Sequence, residues 1–399
     1  MRNFISYINA IFQNPFIPKE AKHTTAILLP ELHTTEGIYR SLLPSYIFNG
    51  MPDYRVLILG LTDKVGVSPN DKDFHITQQI ANETDHIVFP FVSFPLQPVI
   101  DKVRIIKPSM KFSYYIDANY YLMPDSYPHA KEYKLAKMIE FIEANIKAVD
   151  QVIVTNKALK DYIADKLDER YKGIKFNTNI VWQPLFILPA LMKTEYENKP
   201  EKGKIKILII GDEYHFTDIN WIKGTLKDIK AKYKNAIAIH IIGFDGKRGD
   251  KNFLSDLKFE YHPRVPYFKY FELIKHIAPD VLVIPANKNT FNNTSKNYVK
   301  YLELAYFNVP VIAPNIRPFG NSPNTKENLI ATNQNGFLCD KKEDYMMQIE
   351  SMFTTREKFD GVLGVAYATA VDYDITVTSN IEILKKIYFL DNGSENINA

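Results

Sequence analysis

Short apolar runs alternate with amphipathic stretches along most of this chain. In the first half the runs cover 25–30 (TAILLP), 54–60 (YRVLILG), 86–91 (HIVFPF), 111–116 (KFSYYI), 151–155 (QVIVT) and 179–182. Helical periodicity fills about 36–50, 95–108, 129–148 and 156–168 between them. Buried strands separated by helices predict parallel βαβ units rather than a sandwich. A charged stretch at 193–204 (KTEYENKPEKGK), with Pro200 and Gly203, reads as a linker. The alternation then restarts. Strands are predicted at 205–211 (IKILIIG), 236–243, 280–285, 309–314 and 336–339, and helices at 217–233, 266–277, 296–307 and 341–355.

No short internal repeat is present, so the two halves share only their architecture. The expectation is an α/β protein of two Rossmann-like domains facing across a cleft. Residues 1–195 form the first and 203–373 the second, with 374–399 crossing back through a helix at about 376–390. The last nine residues, DNGSENINA, read as a polar tail. Phe4, Ile5, Ile8, Ile11 and Phe12 recur at helical spacing. Arg2 is the only basic residue before Lys19, which favours a helix packed on its own domain over a membrane-surface helix.

Composition narrows the class. A formal charge of +3 is too small for a dedicated nucleic-acid binder. One cysteine, Cys339, excludes an internal disulfide framework and a cysteine-rich zinc site. No run reaches the ~18 apolar residues of a membrane span, and no signal-peptide pattern opens the chain. A cytoplasmic protein is expected, with room for peripheral membrane contact or an oligomer.

In open α/β sheets ligands sit at the carboxyl ends of strands, where helix N-termini offer unpaired N–H groups. Three such ends carry chemistry. After the first strand, Gly37 can admit a close phosphate and Arg40 can reach an anion, although turn geometry alone also explains the glycine. After 205–211 comes GDEYHFTD, in which Gly211 leaves the strand, Thr217 can cap the next helix and His215 can act on a phosphate or hydroxyl. The third is 285–315 (PANKNTFNNTSKNYVKYLELAYFNVPVIAPN). Its polar loop 287–295 precedes a predicted helix that carries Lys296 in its first turn and Glu303 about two turns on. Lys296 is suited to a diphosphate and Glu303 to two ribose hydroxyls. A plain amphipathic helix burying Leu302, Ala305 and Tyr306 is the alternative. D-x-D occurs only at 71–73 and 372–374, both read as solvated charges, and no H-E-x-x-H, Walker P-loop or G-x-S-x-G is present.

The third segment resembles the donor-binding stretch of GT-B glycosyltransferases, particularly the family 4-like enzymes of bacterial surface-polysaccharide synthesis. Their F-N-x-x-K-S-x-x-K-Y-L-E and P-V-I-A patterns match Asn293, Lys296, Lys300, Tyr301, Leu302 and Glu303, then 310–313. Further matches follow in order: Tyr114 to Asp117 with Pro124, 150–155 (DQVIVT), 211–218, and 333–338 (NQNGFL). Together they span about 110–340. The resemblance implies a metal-independent, retaining glycosyltransferase with Lys296, Glu303 and His215 as catalytic residues. It places the nucleotide sugar against Gly211, Asn293, Ser295, Lys296 and Glu303, to which the turn after the first strand adds Gly37. Acceptor-side candidates are His33, Glu36, Tyr39, Asp117, Asn119 and Tyr120, facing a glycan, lipid-linked or protein acceptor. No cofactor beyond the nucleotide-sugar co-substrate, no metal and no nucleic-acid partner is expected.

Several positions depart from the pattern. The first glutamate of E-x7-E falls on Ser295, the Lys-Ser pair reads Lys296 and Asn297, and the second Asp of an Asp-Asp pair is Ala118. Asn308 stands where a glycine is usual, and asparagine tolerates a left-handed turn. A sugar-nucleotide epimerase of the same fold and a non-catalytic GT-B nucleotide- or glycan-binding protein remain as alternatives.

Overall fold

The computed structural model describes residues 20–29, 37–60, 76–92, 94–127, 130–133, 136–171, 178–192, 204–248, 251–322 and 327–390. The N-terminal apolar segment, His33, Glu36, the D-x-D at 71–73, most of the 193–204 stretch and the polar tail lie outside them.

The chain divides into two compact units. One comprises Met1–Tyr121, Lys131–Leu188 and Ile375–Ala399, and the other Leu122–Ala130 and Pro189–Asp374. The first unit contains six strands: β1 (His23–Leu29), β2 (Tyr54–Gly60), β3 (His86–Phe89), β4 (Lys111–Ile116), β5 (Gln151–Val154) and β6 (Asn179–Trp182). They pair in parallel in the order β2-β1-β3-β4-β5-β6. Every residue of β3 and β5 is buried, the pattern of parallel strands covered on both faces. All six were legible as apolar runs.

The helix Thr378–Tyr388 belongs to this unit and ends over its sheet. The Tyr388 carbonyl accepts from Thr25 Oγ1 at 2.5 Å and from His86 Nδ1–H at 2.6 Å. Gln151 Nε2 donates to Ile387 O at 3.0 Å. The Tyr388 hydroxyl donates to Arg40 O and accepts from Gln183 Nε2. Side chains of three strands thus satisfy carbonyls that a helix C-terminus leaves unpaired. With Nδ1 donating, His86 Nε2 accepts from Ser113 Oγ at 2.7 Å.

Burial lowers the His86 pKa to about 4, against an upward pull from the Tyr388 hydrogen bond. The unfolded chain therefore takes up a proton near pH 6.5 that the folded chain refuses until about pH 4. The neutral imidazole's contribution is intact above pH 6.5 and is lost as pH falls through that window, by about 3 kcal/mol. Denaturant titrations of wild type and His86→Gln, which keeps both hydrogen bonds without titrating, should show the wild type losing that much more stability between pH 6.5 and 4. Parallel curves would remove His86 as the cause.

The second unit pairs β11 (Glu260–His262), β8 (Ile237–Ile242), β7 (Ile205–Ile210), β12 (Val281–Val283), β13 (Val311–Pro314) and β14 (Phe337–Cys339) in that spatial order, all parallel. A two-residue hairpin, β9 (Lys247–Arg248) with β10 (Lys251–Asn252), stands apart. Ile207, Ile209, Ile239 and Ile241 pack with Ile219, Ile222 and Leu226 of the helix Phe216–Tyr233. From β7 the chain runs outward through β8 to β11, then returns to β12 on the other side of β7. The gap between the ends of β7 and β12 is a topological switch point, where α/β sheets bind ligands.

Among the elements not foreseen are β11 and a long helix near the end of the second unit. β11 is three residues long and too short to show a period. The helix Arg356–Asp372 contains Gly361 and Gly364, each costing about 1 kcal/mol against alanine in a helix, and its stripe is blurred by exposed Val365, Tyr367 and Val371. It is held by packing on the helix Val299–Tyr306, with Tyr306 and Tyr367 rings stacked 5.4 Å apart.

Candidate functional site

The loops that leave β7 and β12 meet at the switch point of the second unit. The β7 loop turns at once. Gly211 N–H bonds Ile242 O at 3.0 Å, and a Cβ on Gly211 would lie 2.8 Å from His215 Cβ. Glycine is needed here so that His215 can fold back over the strand end. Gly243, at φ +94°, ends the neighbouring strand, and a Cβ there would lie 2.7 Å from Gly211 O. The cap differs from the expected one. Asp212, not Thr217, caps the single turn Glu213–His215, and Thr217 lies inside the following helix with its hydroxyl 2.9 Å from Ser126.

The β12 loop also departs from expectation. Lys296 and Glu303 do not share one helix. A short helix, Thr290–Ser295, begins on an Asn289 cap and ends at Lys296, whose backbone is extended at ψ 144°. A second helix, Val299–Tyr306, then starts, with Asn297 Oδ1 accepting from Val299 N–H at 3.3 Å. The break has a local cause. Asn-rich sequence competes with the helix through side-chain-to-backbone hydrogen bonds. Asn297 stands where the related pattern carries serine. Asn308 closes the second helix at φ +54°, as its tolerance of a left-handed turn anticipated.

These two loops bring the charged groups together. Lys296 Nζ forms an ion pair with Asp218 Oδ2, with side-chain exposures of 15% and 6%. Asp218 Oδ1 accepts from Asn292 Nδ2 at 3.0 Å, and that amide also donates to Asn287 O at 2.8 Å. Lys300 Nζ donates to Ile210 O, the last carbonyl of β7, at 2.9 Å and to His215 Nε2 at 3.1 Å. An ammonium has only donors, so His215 Nε2 carries the lone pair, and Nδ1–H donates to Asp212 Oδ1 at 2.9 Å. Glu303 lies one turn beyond Lys300, buried, with Tyr270 O–H donating to its Oε2 at 3.2 Å. Asn293 Oδ1 accepts from Arg317 N–H at 3.0 Å and fixes the loop. Ser295 is half-buried beside it.

The electrostatics follow from these contacts. Burial, then the ammonium groups of Lys300 and Lys296, push His215 down to about 4, so it is neutral at physiological pH. Burial and the neighbouring Lys296 lower Lys300 to about 8, despite the pull of Asp212, Glu303 and Asp218. Burial opposes ionisation of Asp212, yet the His215 hydrogen bond and the Lys300 charge hold its carboxyl well below the usual range. Two ammonium groups close enough to depress one of them make a site primed for an anion.

A bound anion would restore the Lys300 pKa, so the free protein takes up a proton on binding. Affinity for a nucleoside diphosphate should then be highest below pH 8 and fall as pH rises past it. Calorimetry in buffers of different ionisation enthalpy should detect proton uptake near pH 8. Lys300→Met should abolish the uptake, and a pH-independent wild type would contradict the assignment.

Of the residues expected to bind donor, Gly211, Asn293, Ser295, Lys296, Glu303 and His215 all lie in these loops and the helix behind them. Lys300 and Asp218 were matched only as parts of patterns, and Asp212 and Asn292 carried no expectation. Asp212 falls in the turn and Asn292 in the polar loop already singled out.

The candidates in the first unit are more dispersed. Gly37 is buried with ordinary helical φ of −58°, at the start of the wide turn Ile38–Leu42, so its backbone does not require glycine. Tyr39 is buried. Arg40 is buried with its guanidinium 4.7 Å from the Tyr115 ring centroid. At the carboxyl end of β4, Asp117 Oδ1 accepts from Tyr120 O–H at 2.6 Å and its carbonyl from Thr155 Oγ1 at 3.1 Å. Asn119 is fully buried beside them, and Tyr120 stacks on Phe91 at 3.9 Å.

No protein-family model and no curated protein matches the sequence. Solved structures do. A glycosyltransferase from Rickettsia africae ESF-5 superposes with a TM-score of 0.60 at 15% identity, over 94% of this chain and 100% of that one. An α-glucosyltransferase in complex with UDP-glucose and DNA containing an abasic site gives 0.60 at 12% identity, over 91% and 98%. An E. coli structure named for trehalose-6-phosphate and bound with UDP-2-fluoro glucose gives 0.58 at 10%, over 94% and 100%. The fold is therefore that of the GT-B glycosyltransferases, two parallel six-stranded sheets flanked by helices. Among the described residues, no helix is long and apolar enough to cross a membrane.

Proposed function

We propose that this chain is a glycosyltransferase that takes a sugar from a nucleotide sugar and passes it to a glycan, lipid-linked or protein acceptor in glycoconjugate synthesis. The observation that carries this reading is the pairing of Lys296 and Lys300 with Asp218, His215 and Glu303 at the switch point of the second unit. Transfer leaves a nucleoside diphosphate whose charge grows as the glycosidic bond breaks. Preorganised ammonium groups stabilise that charge most where it develops. Lys296 and Lys300 supply two such groups without added magnesium or manganese. Glu303, held by Tyr270, accepts the ribose hydroxyls. Likeness to enzymes bound with UDP-sugars supports the donor class, and the order of motif matches supports the family 4-like pattern with retention of configuration.

Ser295 and Asn297 favour a second reading, binding without turnover, because the first glutamate of the related pattern is missing. One assay separates the readings. The full chain is incubated with UDP-, GDP- and ADP-sugars, without magnesium or manganese, and released nucleotide and sugar isomers are quantified. Slow release of diphosphate from one donor supports the transferase. An isomerised donor supports an epimerase, and saturable binding with no release over long incubation overturns catalysis.

A further inference from the structure

The register of β8 with β11 sets Glu260 beside His240 and His262 beside Ile242. Side chains alternate along a strand, so 240, 260 and 262 share one face of the sheet. Their ligating atoms converge. His240 Nδ1 lies 3.1 Å from His262 Nε2 and 3.5 Å from Glu260 Oε2, and His262 Nε2 lies 3.6 Å from Glu260 Oε1. Both imidazoles are buried, whereas Glu260 is largely exposed. We propose that His240, Glu260 and His262 bind one zinc ion, with the fourth coordination position open to solvent beside Glu260.

The distances support a cation rather than a shared proton. Zinc takes imidazole nitrogen and carboxylate oxygen at about 2.0–2.2 Å in a tetrahedron, which spaces its ligands about 3.3 Å apart. The two nitrogens are 3.1 Å apart, and each lies close to that spacing from one oxygen of Glu260, Oε2 for His240 and Oε1 for His262. One proton on His240 Nδ1 joins a single pair and leaves the other two contacts at 3.5 and 3.6 Å, beyond good hydrogen-bond length. The rings stack at 5.3 Å with 21° between planes, which keeps the two imidazoles side by side on this face. His240 Nε2 is buried without a hydrogen-bond partner, so the ring's polar attachment runs through Nδ1. Two imidazoles and one carboxylate suit zinc by ligand type, and a six-coordinate cation would draw its ligands closer, toward right angles.

The placement gives the ion work. β11 is a three-residue edge strand paired only with β8. A zinc ion joining Glu260 and His262 to His240 would clamp that edge to the sheet.

The test uses the untagged full-length chain after chelator treatment, titrated with zinc by calorimetry and with cobalt(II) by visible absorption. One zinc per chain, the strong visible bands of four-coordinate cobalt and a zinc-dependent rise in melting temperature are expected. Outer-sphere substitutions alone cost 10–100-fold in affinity, so removing a ligand should cost about 100-fold or more. His262→Ala and Glu260→Gln should both show that loss and lose the melting shift. Glu260 is exposed enough that Glu260→Gln should fold normally. The site falls if wild type shows no saturable zinc binding, if cobalt gives a six-coordinate spectrum, or if both variants bind like wild type.

Discussion

A Lys296→Met, Asp218→Asn double variant is expected to fold like wild type and to bind a nucleoside diphosphate about a hundredfold more weakly. The reasoning starts from burial. Asp218 is 6% exposed and its other oxygen holds Asn292, so the pair ties the β7 loop to the β12 loop. Removing Lys296 alone strands a buried carboxylate, a change that costs about 3–5 kcal/mol. It also turns a negative charge toward the incoming phosphates, so the single variant confounds folding with binding. Asn at 218 keeps an acceptor for Asn292 and removes the orphan charge. What the double variant then lacks is the ammonium. A hydrogen bond to a charged group contributes about 1.5–3 kcal/mol, or roughly tenfold to over a hundredfold in affinity. The screening of Lys300 by its own neighbours places the loss toward the upper end. Binding of the bare nucleoside should change little. Calorimetry of matched nucleoside and diphosphate, with melting curves as the folding control, reads all of this. Wild-type diphosphate affinity in the double variant would make the ion pair a structural tie and nothing more.

Glu303→Gln is expected to weaken a ribonucleoside diphosphate by about tenfold or more while leaving its 2′,3′-dideoxy analogue almost unaffected. The carboxylate is buried, and one oxygen is oriented by Tyr270 at 3.2 Å. Glutamine keeps an oxygen for that tyrosine, so the fold should survive. It loses the negative charge that strengthens hydrogen bonds from two ribose hydroxyls. Tyr270→Phe should give a smaller loss of the same selectivity, because it frees the carboxylate without neutralising it. If the dideoxy ligand loses as much affinity as the ribose ligand, Glu303 does not read the ribose. If neither changes and only the melting temperature moves, Glu303 is a buried structural acid.

Legibility in the sequence followed the range of the interaction. Every strand of both sheets except β11 stood out as an apolar run, because burial on both faces of a parallel sheet leaves little that is polar to interrupt it. Gly211 announced a turn, and the left-handed turn at Asn308 followed from residue type alone. Local rules misled where two of them competed. The helix read from 296 onward begins only at Val299, and within the stretch read as a polar loop the Asn289 cap starts a short helix of its own, Thr290–Ser295.

Contacts between distant segments had no local signature. Asp218 meets Lys296 across 78 positions, Lys300 meets His215 across 85, and His86 meets Tyr388 across 302. Segment 122–127, flanked in the sequence by the first unit, packs in the second, with Tyr127 5.3 Å from Phe291. His240, Glu260 and His262 looked like scattered polar residues until strand register stacked them on one face. By itself, then, the sequence determined which segments become strands and helices, the alternation that makes both sheets parallel, and the two turns where charged residues gather. The tertiary structure alone decided which ammonium faces which carboxylate, why Lys300 is depressed toward pH 8, and where imidazoles converge. Periodicity and turn chemistry act between neighbours in the chain. Desolvation and charge pairing act between neighbours in space, and only folding makes those neighbours.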